Sequence, residues 1–252
     1  MLDTGQRLPD TASRHSGPMP LGMRLSRQPM DSGVYLMDEV RERLLAMSEA
    51  ASEGGDPLSW FEELYSSAER DEEWIPWSDG RPNPIVVEWV IGKPAGGKAL
   101  VVGCGLGEDA AFLEQRGWDV TAFDISSTAV EWAKEQHPSS KIEWAVADLL
   151  DLPSEWRASF DLVLEVHILQ AMPESVRILA APRLSPLVAP GGCLVCIGRY
   201  HTNREEGEGP PWPLPRLFIE SIGKDLEMDE FCLSSLPDDE PGVSRFRAVW
   251  NA

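Results

Sequence analysis

One stretch constrains this chain more than any other: LVVGCGLGEDAAFLEQRGWDVTAFDIS, residues 100–126. It reads as a buried strand ending in three spaced glycines, Gly103, Gly105 and Gly107, that open into a helix. Without Cβ atoms, backbone at such a place turns tightly and lets a ligand approach closely. The helical pattern stops at Gly117, where a C-terminal cap belongs. The following strand ends in Asp124. A carboxylate at that strand end can accept both hydroxyls of a ribose lying across the sheet.

From Lys98 onward the pattern alternates between strand and helix. Strands are predicted at 99–102, 119–125, 142–148, 160–166 and 193–200, with helices after the first two and Ser126 or Ser127 as N-cap of the second. Between the last two strands Pro182 and Pro186 require a short or broken helix. The C-terminal segments 226–234 and 244–250, joined by PDDEPG, read as an antiparallel pair. The fold class is therefore α/β: a Rossmann-like doubly wound sheet, mostly parallel, with an antiparallel C-terminal strand pair, flanked by helices. Upstream, helices are predicted over 34–52 and 58–70, and a short one over 85–92. Between them EEWIPWSDGRPNP is too dense in Trp, Pro and Gly for regular structure. The organisation expected is a flexible tail over 1–33 and a single domain over 34–252. Its parts are a helical, Trp-rich lid segment (34–97) and a core (98–252).

Two ligand classes suit a glycine turn followed by an acidic strand end. A dinucleotide needs G-x-G-x-x-G with the helix N-terminus facing a pyrophosphate. Here the pattern is G-x-G-x-G followed by Glu108 and Asp109, two carboxylates that repel a pyrophosphate. S-adenosyl-L-methionine carries a sulfonium and an ammonium and no phosphate, so acidic lining suits it. The whole chain leans the same way: 42 acidic residues against 22 basic give a charge of −20. Such a field opposes nucleic acid and anionic membrane surfaces. No apolar run is long enough to span a bilayer, and MLDTGQRLPDTASRHSG lacks a signal peptide's apolar core, so a cytoplasmic location is expected. Cys193 and Cys196 form C-x-x-C inside a predicted strand, where residues three apart face opposite sides, so no metal site is expected.

Residues 72–250 resemble the class I S-adenosylmethionine-dependent methyltransferases, and within them the thiopurine, thiol and halide methyltransferases. The nucleoside signature over 99–125, ADLLDLP (147–153) and LVAPGGCL (187–194) carry the general resemblance. Val101, where an acidic residue is usual, the segment GEGPPWPLPRLFIE, and Trp74-x-x-Trp77-x-x-Gly80 carry the narrower one. The resemblance implies that Gly103, Cys104, Gly105 and Gly107 pass the methionine moiety. It implies that Asp124 with Ile125 holds the ribose, and that Asp148 with Leu149 receives the adenine. Glu165 would lie beneath the sulfonium, while Trp74 and Trp77 cover the cofactor. A cation beside an aromatic face gains about 0.5–2 kcal/mol.

His167, just past the fourth strand, is chemically apt as a general base near neutral pH. The partner implied is a small-molecule methyl acceptor, methylated by in-line displacement at the sulfonium carbon. If the acceptor is a thiol or another soft nucleophile, a dry, aligned pocket suffices and no strong base is required. The alternatives are an O- or N-methyltransferase of a secondary metabolite, with His167 as base, and a non-catalytic protein that binds the cofactor. The segment 74–84 and the loop 201–216 are expected to close over the site.

Overall fold

The computed structural model describes residues 32–94, 96–201, 209–237, 239 and 241–252. The expected tail lies outside these residues apart from its last two positions, which open the first helix; residues 202–208 of the expected closing loop also lie outside them.

Seven strands form one sheet in the order β3-β2-β1-β4-β5-β7-β6. They are β1 (Lys98–Val102), β2 (Asp119–Asp124), β3 (Glu143–Val146), β4 (Phe160–Val166), β5 (Val188–Arg199), β6 (Glu227–Ser234) and β7 (Arg245–Asn251). β1 to β5 pair in parallel, and β7 inserts antiparallel between β5 and β6. The expected mixed, mostly parallel sheet is thus present. Alternation along β1 separates two cores. Leu100 and Val102 face a cluster built with helices α1 (Ser32–Glu53) and α2 (Ser59–Ser67). Ala99 and Val101 face a second cluster built with α3 (Pro84–Val90) and α4 (Glu108–Gln115). Strands of a parallel sheet covered on both faces read as continuous apolar runs, as β1 and β4 do.

Local chemistry fixes the helix ends. Ser126 caps α5 (Ser127–Gln136) by accepting the Ala129 N–H, and Gly117 takes φ +90° after α4. The proline-interrupted connection is α6 (Glu174–Ala180) followed by one-turn 3₁₀ segments, Ala181–Arg183 and Ser185–Leu187, each carrying one of the two prolines. The Trp-rich stretch is irregular except for a 3₁₀ turn at Glu72–Trp74. Two differences from expectation stand out. β5 starts at Val188 rather than Cys193, because its first residues pair with the start of β4 across a register shift. Helix α7 (Arg216–Ile222) follows the proline-rich segment, whose Pro213 and Pro215 obscured so short an apolar pattern. Cys196 lies in the first cluster and Cys193 against the second, on opposite faces as alternation requires. Among the described residues no three His, Cys, Asp or Glu side chains group to hold a metal, and no helix is long and apolar enough to cross a membrane.

Because β1, β2 and β4 run in parallel, the loops that follow them meet at one edge of the sheet. That edge carries the candidate site.

Candidate functional site

Gly103, Gly105 and Gly107 all take positive φ, at +61°, +54° and +91°. Side chains rarely adopt that conformation, so the turn depends on glycine. Space is equally restrictive at Gly103, where a Cβ would come within 2.3 Å of Ile168 Cδ1. Three of the turn's amides are engaged within the protein. Cys104 N–H donates to the Phe123 carbonyl at 2.8 Å, and Gly107 N–H to the Cys104 carbonyl at 2.9 Å. Gly105 N–H donates to Asp124 Oδ2 at 2.9 Å. A phosphate cradle needs such amides free to point at the ligand, and these three are engaged.

Asp124 also accepts the Ser126 N–H through Oδ1 at 2.9 Å. Burial lifts its carboxyl above the usual range, against the lowering effect of these backbone hydrogen bonds. The carboxylate keeps acceptor capacity for a ligand hydroxyl. Beside it opens a cleft of about 400 Å³, counting space that reaches solvent. Gly103, Asp124, Ile125, Asp148 and Leu149 share its wall. Asp148 turns one oxygen to the Leu150 N–H at 2.8 Å. Seven further apolar residues share the wall: Val102, Phe123 and Ala147 beside the anticipated positions, and, outside the anticipated segments, Leu58 and Phe61 near and on α2 and Ile168 and Met172 after β4. The sequence signalled α2 only as an amphipathic helix, which marks a core-facing stripe without saying what it covers.

The remaining candidates lie elsewhere. Cys104 is buried, with Sγ 3.9 Å from the Gly105 carbonyl oxygen, outside the cleft wall. Trp77 is 41% exposed and donates its indole N–H to the Tyr65 hydroxyl at 2.8 Å. The Arg43 guanidinium sits 4.9 Å above the Trp74 ring. Neither Trp lines the cleft. Glu165 is 1% exposed and takes the Ile168 and Leu169 N–H groups on Oε1, at 2.7 and 3.0 Å. It therefore shapes the turn after β4, and its burial pushes its pKa to about 7. The acidic pair that opens α4 is also committed to structure. Glu108 accepts the Ser78 hydroxyl at 2.5 Å, and Asp109 the Asn83 N–H at 2.7 Å. Both anchor the Trp-rich segment instead of facing the cleft.

His167 departs furthest from its expected setting. It takes φ +66°, and its Nε2 lies 3.2 Å from Arg245 Nη1. Arg245 is in turn bridged to Asp239 at 2.6 Å. Burial first, and then the Arg245 charge, push the imidazole down to about 4. An imidazole so held is a weak proton acceptor.

The sheet order and the glycine turn define a Rossmann-like nucleoside-binding protein of the methyltransferase type. The family described as a methyltransferase domain matches residues 99–192. A probable thiol methyltransferase 2 from Arabidopsis thaliana is 30% identical over 154 residues, covering 58% of this chain and 67% of that protein. A ubiquinone biosynthesis O-methyltransferase from Bordetella avium is 30% identical over 128 residues, covering 47% and 52%. Among solved structures, the N-methyltransferase NodS from Bradyrhizobium japonicum, in complex with S-adenosyl-L-homocysteine, aligns with a TM-score of 0.60 at 20% identity, covering 75% of this chain and 97% of that one. The chain belongs to the class I S-adenosylmethionine-dependent methyltransferases and resembles the thiol methyltransferases among them. It is an enzyme that methylates a small molecule, with S-adenosylmethionine as cofactor.

Proposed function

We propose that the acceptor is a thiol or another soft nucleophile, and that the cleft beside Asp124 holds the adenosine of the cofactor. The donor set fits that group: apolar walls for a base, and carboxylates at Asp124 and Asp148 for hydroxyls and an exocyclic amine. When bound, S-adenosylmethionine supplies a methyl group on a positively charged sulfur. Asp124 and Ile125 hold the ribose, Asp148 and Leu149 the adenine edge, and Gly103 allows the chain to pass close. Phe61 and Leu58 cover the cleft from α2 and exclude water. Trp74 and Trp77 act at one remove, through their packing on Arg43 and Tyr65. Residues 34–252 are read as one domain, a reading supported by the core that α1 and α2 share with the sheet.

The observation that carries the acceptor class is the state of His167. With Nε2 against Arg245, it is poorly placed to deprotonate a phenol or an amine. A thiolate or halide needs no such base, and its attack on a sulfonium neutralises charge, which a dry pocket favours. The Arabidopsis relative supports the same class. The charge of −20 supports a small solute over a nucleic acid. The test is turnover of S-adenosylmethionine by the purified chain with thiols and iodide, against phenols and amines. Methylation of the first pair is expected; methylation confined to the second overturns the reading. The Bordetella relative supports an O-methyl alternative, which the same panel separates.

A further inference from the structure

Tyr65 lies on α2 one turn after Phe61, so the two side chains leave the helix on one face. Phe61 lines the cleft; Tyr65 stands outside that wall, against the adjoining glycine turn. Its hydroxyl stands 3.0 Å from the point where a Cβ on Gly105 would sit. The residue is 2% exposed. The Trp77 indole N–H occupies the hydroxyl oxygen as a donor, at 2.8 Å. Among the described residues no acceptor takes the hydroxyl proton. A buried donor left without an acceptor carries a free-energy cost unless a ligand completes it.

Three amides of the glycine turn cannot supply such a donor. The methionine end of the cofactor carries a carboxylate, and the N–H groups of Cys104, Gly105 and Gly107 are already engaged within the protein. Glu108 and Asp124 add negative charge nearby, which makes a neutral donor more valuable to an arriving carboxylate. Burial, together with the Asp124 carboxylate, keeps the phenol protonated well above its ordinary range, so its role is to donate. We infer that the Tyr65 hydroxyl, oriented by Trp77, donates a hydrogen bond to the methionine carboxylate of S-adenosylmethionine above Gly105. Tyr65 is then a cofactor-binding residue, and Trp77 positions it. This rests on the reading of the cleft as the cofactor site.

Calorimetry on the full chain, with S-adenosylmethionine and its decarboxylated analogue as probes, tests the inference. The wild type should bind the carboxylate-bearing form more tightly. Tyr65→Phe should weaken S-adenosylmethionine by about tenfold or more, the loss of one hydrogen bond to a charged group, and change the analogue by less than about twofold. Equal weakening of both probes, or of neither, overturns the assignment. Should Tyr65→Phe not fold, Trp77→Phe leaves the hydroxyl in place without its orienting donor and should narrow the same preference; an unchanged preference overturns it. Failure of the wild type to bind either probe removes the cofactor reading itself, a different result from a Tyr65 variant that binds like the wild type.

Discussion

Glu62 on α2 accepts the Ser126 hydroxyl at 2.7 Å, tying the helix that covers the cleft to the residue that caps α5. The same carboxylate takes the Thr128 N–H at 3.1 Å and the Thr128 hydroxyl. Burial alone would raise its pKa, but these hydrogen bonds outweigh it and hold the group below the usual carboxylate range. Two elements distant in sequence thus share one anion.

Replacing that anion tests how α2 is seated. Glu62→Ala leaves the α5 amide and the Thr128 hydroxyl without their acceptor, at a cost of about 1–2 kcal/mol by analogy with lost caps. Because Leu58 and Phe61 move with α2, cofactor affinity should fall further than stability accounts for. Thermal melts with and without S-adenosylhomocysteine check this. The sign for pH follows from the lowered pKa. The contribution of Glu62 is present above the unfolded value and fades as pH falls through the folded one, so wild type and variant should converge in acid.

Glu165 titrates in the opposite sense. Its folded pKa of about 7 lies above the ordinary 4.5, so the folded state binds the proton more tightly. Its share of stability is complete below pH about 4.5 and is lost as pH rises to about 7. Glu165→Gln keeps an acceptor for the Ile168 and Leu169 amides and removes the titration. Relative to this variant, the ligand-free wild type should lose on the order of 3 kcal/mol between pH 4.5 and 7.5. Denaturant unfolding across that range measures it, and parallel curves would refute the buried-acid assignment.

Gly103→Ala should act on the cleft and on stability together. At φ +61° an L side chain is strained, at a cost of about 1–2 kcal/mol. The new Cβ also drives against Ile168, a wall residue. The variant should melt lower and bind S-adenosylhomocysteine at least about tenfold more weakly. Normal affinity in a destabilised variant would place the cofactor away from this wall.

His167→Gln should leave thiol or iodide methylation within about threefold of wild type, because a general base, when used, contributes about 10²–10⁴. The rate should also show no inflection near pH 6.5, since burial, with the Arg245 charge second, holds the imidazole neutral down to about 4. A loss of a hundredfold would restore His167 as the base and favour an O- or N-acceptor.

The core of the fold was legible because its signals are local. Apolar runs such as Ala99–Val102 and Leu162–Leu164, caps such as Ser126, and the broken helix at Pro182 and Pro186 each follow from residues close in sequence. Helix α7 was not legible, since prolines precede it and its pattern covers only two turns. The site divided along the same line. Gly103, Asp124, Ile125, Asp148 and Leu149 meet at the cleft because strand direction alone delivers strand ends to one edge.

What tertiary structure alone decided was the use of each polar and aromatic side chain. Glu108 and Asp109 look like ligand-facing acids in the sequence, yet Ser78 and the Asn83 amide, far upstream, claim them. Arg245, from the last strand, silences His167, and Tyr65 reaches Gly105 only because α2 docks across the glycine turn. The amino-acid order by itself determined a class I methyltransferase sheet and the backbone turn at its edge, through periodicity and the steric freedom of glycine. Which groups stay available for chemistry depended on pairings between distant segments, since a hydrogen-bond partner is set by proximity in space and no local pattern encodes it.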